Sequence, residues 1–184
     1  MTEREAELQA VRLQKVEVLG GTIALAEYDP AWPELYEHEA EKIRTALGDR
    51  VRTLEHAGST SVPDLAAKPI IDIVLAVADS AGESAYVPAL EEAGYVLAIR
   101  EPDWHEHRLL KGSDPTVNLH VFSYGSSEVE RMLAFRDRLR TNEAERVLYE
   151  RTKRELAQRT WTYVQDYADA KTQVVEAILA RAGA

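Results

Sequence analysis

The segment EHAGSTSVPDLAAKPIIDIVLAV, residues 55–77, places a turn of small and hydroxyl-bearing residues before a run of aliphatic residues. The aliphatic run, residues 70–78, is nearly continuous, which is typical of a strand covered on both faces. Its single polar member is Asp72. Because a buried carboxylate is costly unless it is paired, hydrogen-bonded or bound to a metal, we expect a partner opposite Asp72 or a raised pKa.

The turn ahead of this strand has the composition of an anion-binding site. It follows a short predicted strand, residues 51–56, and consists of Gly58, Ser59, Thr60 and Ser61. Residues 62–68 are predicted to form a short helix, with Pro63 near its start and Pro69 after its end. Backbone N–H groups and hydroxyls would then converge at the positive end of a helix dipole. Lys68, at the far end of this segment, would add a point charge for a phosphate.

An anion cradle followed by a strand that carries a carboxylate meets the needs of phosphoryl or nucleotidyl transfer. The turn would hold a polyphosphate, and Asp72 would hold a Mg²⁺ ion that bridges to it. The alternative is a structural turn with Asp72 in a salt bridge to an internal Arg or Lys, because turns rich in Gly and Ser are common. Residue types alone leave both interpretations open.

A second group of polar residues surrounds His120. This residue alternates with Asn118 and Phe122 in an aliphatic stretch, so the three side chains share one face of a predicted strand. If that face also bears Asp72, His120 is a candidate metal ligand or acid–base group, and otherwise it is an ordinary core histidine. His107 lies two residues from another histidine in the stretch WHEHR, which is either an extended segment or a solvated loop.

Two arginines near the C-terminal side of the chain are candidates for an anion clamp. Arg136 and Arg140 lie four residues apart on a predicted helix and therefore share a face. They could hold a phosphate or a carboxylate of a ligand. The alternative is surface ion pairing with Asp137 and Glu143.

The remaining pattern predicts a mixed sheet with helices before, between and after its strands. A hairpin is expected around Gly20 and Gly21, and Asp29 and Pro30 are expected to begin an amphipathic helix that ends at Gly48. Further strands are predicted at residues 95–100, 107–111 and 117–122. Further helices are predicted at residues 84–93, 128–140, 143–158 and 161–181.

The composition is that of one globular domain and excludes several classes of protein. We expect a single domain over residues 1–184, in which the charged residues 1–14 are a candidate flexible arm. No apolar run is long enough to cross a bilayer, and the N-terminus lacks the apolar stretch of a secretory signal, so we expect a cytoplasmic protein. The absence of cysteine excludes disulfides and thiolate metal sites. A formal net charge of −10 argues against sequence-independent binding to nucleic acid.

Several stretches resemble the GrpB family, whose domain is also found fused behind dephospho-CoA kinase in some bacteria. The resemblance covers residues 23–182, and its stretches are YDPAWPELYEHEAEKI, EHAGSTSVPDLAAKPIIDIVLAV, NLHVF and GSSEVERMLAFRDRLR. It implies a nucleotidyltransferase-like α/β fold, with a small mixed sheet flanked by helices and a helical C-terminal third. It specifies a fold more firmly than a reaction.

The resemblance also implies a site, from which this sequence departs at one position. The wider superfamily is marked by a Gly-Ser turn and a strand with two carboxylates one residue apart. Gly58, Ser59 and Asp72 match that pattern, but Ile70 and Val74 stand where a second carboxylate would be. A two-metal mechanism needs several carboxylate ligands. If His120 corresponds to a further acidic position of the superfamily, Asp72 and His120 could hold a single metal ion.

These observations support two main hypotheses and a weaker third. The first is an enzyme that binds a nucleoside triphosphate and Mg²⁺ and transfers a nucleotidyl or phosphoryl group to a small acceptor. The second is a noncatalytic module that binds a phosphorylated metabolite or a protein partner, which the missing second carboxylate favours. The third, an interaction scaffold built from the C-terminal helices, rests only on amphipathic patterns that usually pack on a sheet. The oligomeric state and the substrate stay open.

Overall fold

Residues 1–183 are described by the computed structural model, in which five strands form one mixed sheet. The strands are β1 (Thr53–Ala57), β2 (Ile71–Val77), β3 (Val96–Glu101), β4 (His107–Ser113) and β5 (Thr116–Ser123). Their order across the sheet is β1-β2-β5-β4-β3. The central pair, β2 and β5, is parallel, whereas the other pairs are antiparallel.

Seven α-helices of the described residues flank this sheet. They are α1 (Glu3–Val11), α2 (Trp32–Leu47), α3 (Val87–Glu92), α4 (Ser127–Thr141), α5 (Glu143–Ala157), α6 (Val164–Ala170) and α7 (Thr172–Ala182). None of the helices within residues 1–183 combines the length and the apolar character needed to span a bilayer.

Strand β2 is apolar because helices cover both of its faces. Ile71, Ile73, Leu75 and Val77 point to one side, where they join a buried core with residues of α2 and α3. Val74 points to the other side and packs with apolar residues of β5 and α4. At about 1.5–3 kcal/mol for each fully buried aliphatic side chain, this double coverage anchors β2 in the sheet. Asp72 lies on the same face as Val74.

Helix α2 begins two residues later than the sequence suggests. The Asp29 carboxylate accepts a hydrogen bond from the backbone N–H of Ala31 at 2.9 Å, so it closes a turn ahead of the helix rather than capping its first residues. A proline in the first turn does not disturb the helix, because no intrahelical N–H is needed there. Gly48, with φ of +57°, ends the helix as expected.

The predicted hairpin around Gly20 and Gly21 is wrong. Instead of pairing with each other, the flanking segments form isolated bridges to remote parts of the chain, Gly21 to Trp161 and Ala26 to Ala67. Ile23 packs in a small apolar cluster with residues of α5 and α6. Burial against remote helices therefore decides the path of this segment, despite the turn signal of two glycines.

Two predicted helices also differ from the structure. The helix expected at residues 62–68 is absent, and a 3₁₀ turn, Ser59–Ser61, is the only helical turn between β1 and β2. The helix predicted at residues 161–181 is divided into α6 and α7 at Lys171. At the other end of the chain, where the charged composition suggested a flexible arm, α1 packs near β3 and buries Leu8.

Candidate functional site

The site lies where the turn at residues 58–61 meets the start of β2. Gly58 has φ of +64° and ψ of −173°, a conformation that is essentially restricted to glycine. A Cβ atom added at this position would lie 2.8 Å from the Cβ of Asp72 and would clash with its carboxylate. The turn therefore packs directly on the Asp72 side chain, which only glycine permits.

Parallel pairing of β2 with β5 places two polar side chains beside Asp72. Asp72 pairs with Asn118, and Val74 pairs with His120, so the three polar side chains share one face. The Asn118 amide donates a hydrogen bond to Asp72 Oδ1 at 3.1 Å, and His120 Nε2 lies 3.7 Å from the same oxygen. The structure thus fulfils the condition on which the interpretation of His120 depended.

The electrostatic surroundings keep Asp72 ionised. Burial alone would raise the pKa of its carboxyl group, but the neighbouring His120 and Asn118 side chains and the Lys68 ammonium group together lower that pKa below its ordinary value. No raised pKa is needed to explain the embedded carboxylate. Asp72 is therefore expected to carry a negative charge at neutral pH.

Of the three hydroxyl groups in the turn, two stabilise the turn itself. Ser61 Oγ donates to the Gly58 carbonyl at 2.6 Å, and Thr60 Oγ1 donates to the Ile70 carbonyl at 3.1 Å. The Thr60 hydroxyl is also hydrogen-bonded to His56 Nε2. Ser59 is different, because its hydroxyl faces Lys153 rather than the backbone. Since the expected helix is missing, no helix dipole adds to this turn, and the positive charge near the turn has another source.

That source is a group of three lysines, Lys68, Lys153 and Lys171, which we call the lysine cluster. Lys153, only 2% exposed, donates to Ser59 Oγ at 3.1 Å and to the Ala66 carbonyl. Lys68 and Lys171 lie over the ring of Tyr167, with Nζ at 5.9 and 4.7 Å from its centroid. No member forms a salt bridge with a carboxylate in the part of the chain that the structure describes.

The pKa values show that these lysines share one environment with Asp72. Burial lowers the pKa of Lys153 to about 7 and also lowers the pKa values of Lys68 and Lys171. The charge of Lys171 lowers the pKa values of Lys68 and Lys153 further. The Asp72 carboxylate opposes the decrease at all three. The Asp72 carboxylate thus acts on all three lysines, and the Glu150 carboxylate acts on Lys153 as well.

Two tyrosines complete the polar surroundings of the lysine cluster. Tyr149 lies beneath Lys153, whose Nζ is 4.9 Å from the ring centroid, and burial raises the pKa of the Tyr149 hydroxyl to about 12. The hydroxyl of Tyr167, a residue that is 1% exposed, is buried without a hydrogen-bond partner. Burial, and to a smaller extent Tyr149, raise the pKa of the Tyr167 hydroxyl. A buried hydroxyl without a protein partner is rare in folded proteins.

Sequence reasoning missed Lys153 and Lys171 because they come from distant segments, α5 and the junction of α6 with α7. One signal was present for Lys153. Tyr149, Lys153 and Leu156 recur at helical spacing and are all buried, so a lysine occupies a core position of the amphipathic helix α5. Lysine is almost never fully buried without a functional or structural reason.

The two arginines of the predicted clamp contact protein groups. Arg136 is buried and donates to Glu55 Oε2 at 2.8 Å, to the His56 carbonyl at 2.9 Å and to Asp137 Oδ1 at 2.7 Å. Arg140 donates from Nε to the Ser61 carbonyl at 2.9 Å. These bonds attach α4 to β1 and to the turn. The Nε and Nη1 donors of Arg136 are thus already used by groups of the protein.

We expect Arg136→Met to lower the free energy of unfolding by about 2 kcal/mol, because it removes the hydrogen bonds of a buried charged group, including the one to the buried His56 carbonyl. Urea denaturation measures this loss. Phosphate affinity should be unchanged, and Arg151→Met, on the exposed side of α5, is the matched control with little effect on either quantity. A loss of phosphate binding without a loss of stability would instead support the clamp.

The donor set at Asp72 suits a metal ion poorly. No group of three or more His, Asp or Glu side chains that could hold a metal ion is found within residues 1–183. Asp72 and His120 offer one carboxylate and one imidazole, whereas Mg²⁺ prefers oxygen ligands. The nearby lysine cluster would also repel a divalent cation. The residues fit a bound anion better than a bound cation.

Comparison with known proteins finds relatives over nearly the whole chain. The family described as GrpB protein matches residues 22–181. A UPF0157 protein of Halalkalibacterium halodurans is 56% identical over 180 residues, which span 98% of this chain and 92% of that protein. A dephospho-CoA kinase of Mycolicibacterium paratuberculosis is 28% identical over 189 residues, which span 88% of this chain and 46% of that protein.

A solved structure confirms the predicted fold class. The crystal structure of the conserved protein GrpB from Enterococcus faecalis matches with a TM-score of 0.72 at 33% identity. The match covers 86% of this chain and 98% of that one. The mixed sheet with flanking helices and a helical C-terminal third is therefore shared with that protein.

Proposed function

The chain belongs to the GrpB family, and for this member we propose that the lysine cluster binds the phosphate groups of a nucleotide or another phosphorylated small molecule. The observation that carries the proposal is the convergence of three buried or half-buried lysines, without carboxylate salt bridges, on the face of the sheet that bears Asp72. Cations removed from water are costly unless an anion accompanies them. A phosphate would supply that anion.

Several features of the site support a phosphate rather than a simple carboxylate ligand. The three lysines outnumber the carboxylates that act on them, Asp72 and Glu150, although the chain as a whole carries a formal charge of −10. A di- or triphosphate presents several oxygens and more than one negative charge, so it can contact all three lysines. The Tyr167 hydroxyl and Ser59 are further donors at the same place.

Calorimetric titration and thermal unfolding with pyrophosphate, ATP, GTP, CTP and UTP test the proposal. A ligand at 100 times its Kd should add about 2.7 kcal/mol of stability and raise the Tm by several degrees. Each titration is repeated with and without Mg²⁺. Because the lysines rather than a metal ion would neutralise the phosphates, we expect binding in both conditions.

Lysine variants locate the binding site. We expect Lys171→Met and Lys68→Met each to weaken binding about tenfold or more, because each removes a charge-assisted contact. Lys15→Met, which removes the same charge from an exposed position, is the control and should bind as the wild type does. The absence of binding with every phosphate compound, or an equal loss in the control, would reject the proposal.

Transfer of a nucleotidyl or phosphoryl group is a second candidate function, favoured by the juxtaposition of Asp72 and His120. The missing second carboxylate favours binding without transfer. Asp72→Asn separates the two functions. If turnover of a triphosphate requires Mg²⁺ and is abolished by this substitution, the enzyme hypothesis holds. If affinity is kept or increased and no triphosphate is turned over by the wild type, the protein is a noncatalytic binding module.

A further inference from the structure

The stretch WHEHR, residues 104–108, forms a turn and the start of β4. Its first residue, Trp104, is 40% exposed, whereas Trp32 in the core is 3% exposed. Tryptophan offers a large apolar ring for contact with a ligand and is common at binding surfaces. Trp104 is therefore a candidate contact for a part of the ligand that the lysine cluster does not hold.

The backbone that carries Trp104 is fixed by the turn. The Trp104 N–H donates to the Glu101 carbonyl at 3.2 Å. The next two residues, His105 and Glu106, have φ of +54° and +50°. Such a conformation is unfavourable for residues with a Cβ atom and persists only where the surrounding structure enforces it. Here the Glu106 carbonyl is held by the hydroxyl of Ser80, which donates to it at 2.8 Å.

The indole of Trp104 stands steeply to the neighbouring rings. Its centroid lies 5.0 Å from that of His107 and 5.8 Å from that of Phe122, with interplanar angles of 79° and 73°. The ring of His105 also meets it at 79°. No aromatic ring within residues 1–183 lies parallel to the indole, so a planar group of a ligand would not compete with a protein ring for a stacked position on it.

Trp104 lies at the far end of the sheet face that bears Asp72. The ring that it contacts, Phe122, follows Asn118 and His120 at intervals of two residues and packs with other residues of that face. From Asn118, which binds Asp72, to Phe122 the strand advances by four residues, or about 13 Å. Between these ends, the side chains of Asp72 and His120 are 26% and 22% exposed. The distance from the base to the terminal phosphate of an extended nucleoside triphosphate is of the same order.

The two ends of this face differ in charge. The lysine cluster lies near Asp72, whereas Trp104 is followed by two positions from Glu106 and preceded by Asp103, which is exposed. The nearby Arg108 is buried and donates to Glu83 and to Glu106. Carboxylates disfavour a phosphate at the Trp104 end, but they accept hydrogen bonds from amino groups. An uncharged aromatic group is therefore the part of a ligand that suits this end.

We propose that Trp104 stacks on the base of a nucleotide whose phosphate groups are bound by the lysine cluster. The inference rests on the proposed function and narrows the ligand from any phosphorylated small molecule to a nucleotide. Stacking of a base on an aromatic side chain corresponds to roughly a five- to 150-fold difference in affinity.

Calorimetric titrations with ATP and with inorganic tripolyphosphate test the inference, because the two ligands have the same number of phosphate groups and differ in the nucleoside. We expect Trp104→Leu to weaken ATP binding about tenfold and to leave tripolyphosphate binding unchanged. Trp104→Phe keeps a ring for stacking and should bind ATP more tightly than Trp104→Leu does. An equal effect of Trp104→Leu on both ligands, or no effect on ATP, overturns the inference.

Tryptophan fluorescence gives a second readout that stands even if Trp104→Leu fails to fold. ATP should quench the emission of the wild type, and tripolyphosphate should not. The quenching should be absent in Trp104→Phe, which keeps Trp32 and Trp161. ATP that binds without quenching, or that quenches Trp104→Phe equally, contradicts stacking on Trp104.

The same titrations separate this inference from the proposed function. If tripolyphosphate binds and ATP binding does not depend on Trp104, the phosphate site stands and only the stacking is wrong. If neither ligand binds to the wild type, the proposed phosphate site is wrong, and the inference fails with it.

Discussion

Gly58→Ala is expected to destabilise the folded protein by about 3 kcal/mol and to lower its Tm by roughly 6–12 °C, the largest effect expected among the glycine-to-alanine substitutions of the described residues. Two separate costs add up at this position. With φ of +64° and ψ of −173°, the backbone occupies a region that residues with a Cβ atom rarely adopt. The added methyl group would also lie 2.8 Å from the Asp72 Cβ atom, so β1, the turn or Asp72 must move.

Gly21→Ala is the matched control for this prediction. Gly21 has no positive φ, and the nearest atom to an added Cβ is the Leu19 carbonyl oxygen at 3.8 Å, an ordinary contact. Thermal and urea unfolding should therefore show a small change for Gly21→Ala and a large one for Gly58→Ala. Equal stability of the two variants would mean that the turn relaxes without cost. Phosphate binding by Gly58→Ala should also be weakened, since a shift of the turn displaces Ser59, which contacts Lys153.

The central part of the fold could be predicted because its signals are local. The aliphatic run around Asp72 indicates a doubly covered strand, and the strands predicted at residues 107–111 and 117–122 correspond to β4 and β5, which pair with each other. The alternation of side chains along a strand predicted that Asn118 and His120 lie on one face of β5. Whether that face also carried Asp72 depended on the register between β2 and β5, which no local pattern specifies.

The lysine cluster could not be predicted from the sequence, because it forms only through tertiary packing. Lys153 and Lys171 are about a hundred residues away from the turn in the sequence and reach it only when α5, α6 and α7 pack on the segment that follows Ser61. The sequence instead suggested a helix dipole at residues 62–68. That segment contributes Val62 and Leu65 to the apolar contacts with α4, α5 and α7, and these contacts replace the helix. The proposed anion site at this turn thus rests on a different physical reason from the one that the sequence suggested.

The pH dependence of stability is the second large effect, and Lys153 is its source. Because burial lowers the pKa of Lys153 to about 7 in the folded protein, the folded state loses this proton near neutrality, whereas the unfolded state keeps it up to the ordinary lysine pKa of 10.5. Between these values the unfolded state binds more protons, so the free energy of unfolding rises with pH. The stability that the neutral Lys153 side chain contributes is lost as the pH falls through about 7. The pKa values of Lys68 and Lys171 are lowered as well. The effect of Lys153 on stability is therefore isolated by comparing the wild type with a Lys153 variant.

We expect the stability of the wild type relative to Lys153→Met to increase by about 2 kcal/mol between pH 7 and pH 9, as urea unfolding at each pH measures. Lys15→Met, at an exposed position, is the control and should run parallel to the wild type over the same range. Saturating pyrophosphate should reduce the slope, because a bound anion keeps Lys153 charged in the folded state. A difference between wild type and Lys153→Met that stays constant with pH would mean that the Lys153 ammonium group already has a compensating partner in the free protein. The positive charge assigned to the lysine cluster would then not be available to a ligand, and the proposed phosphate site would lose its main support.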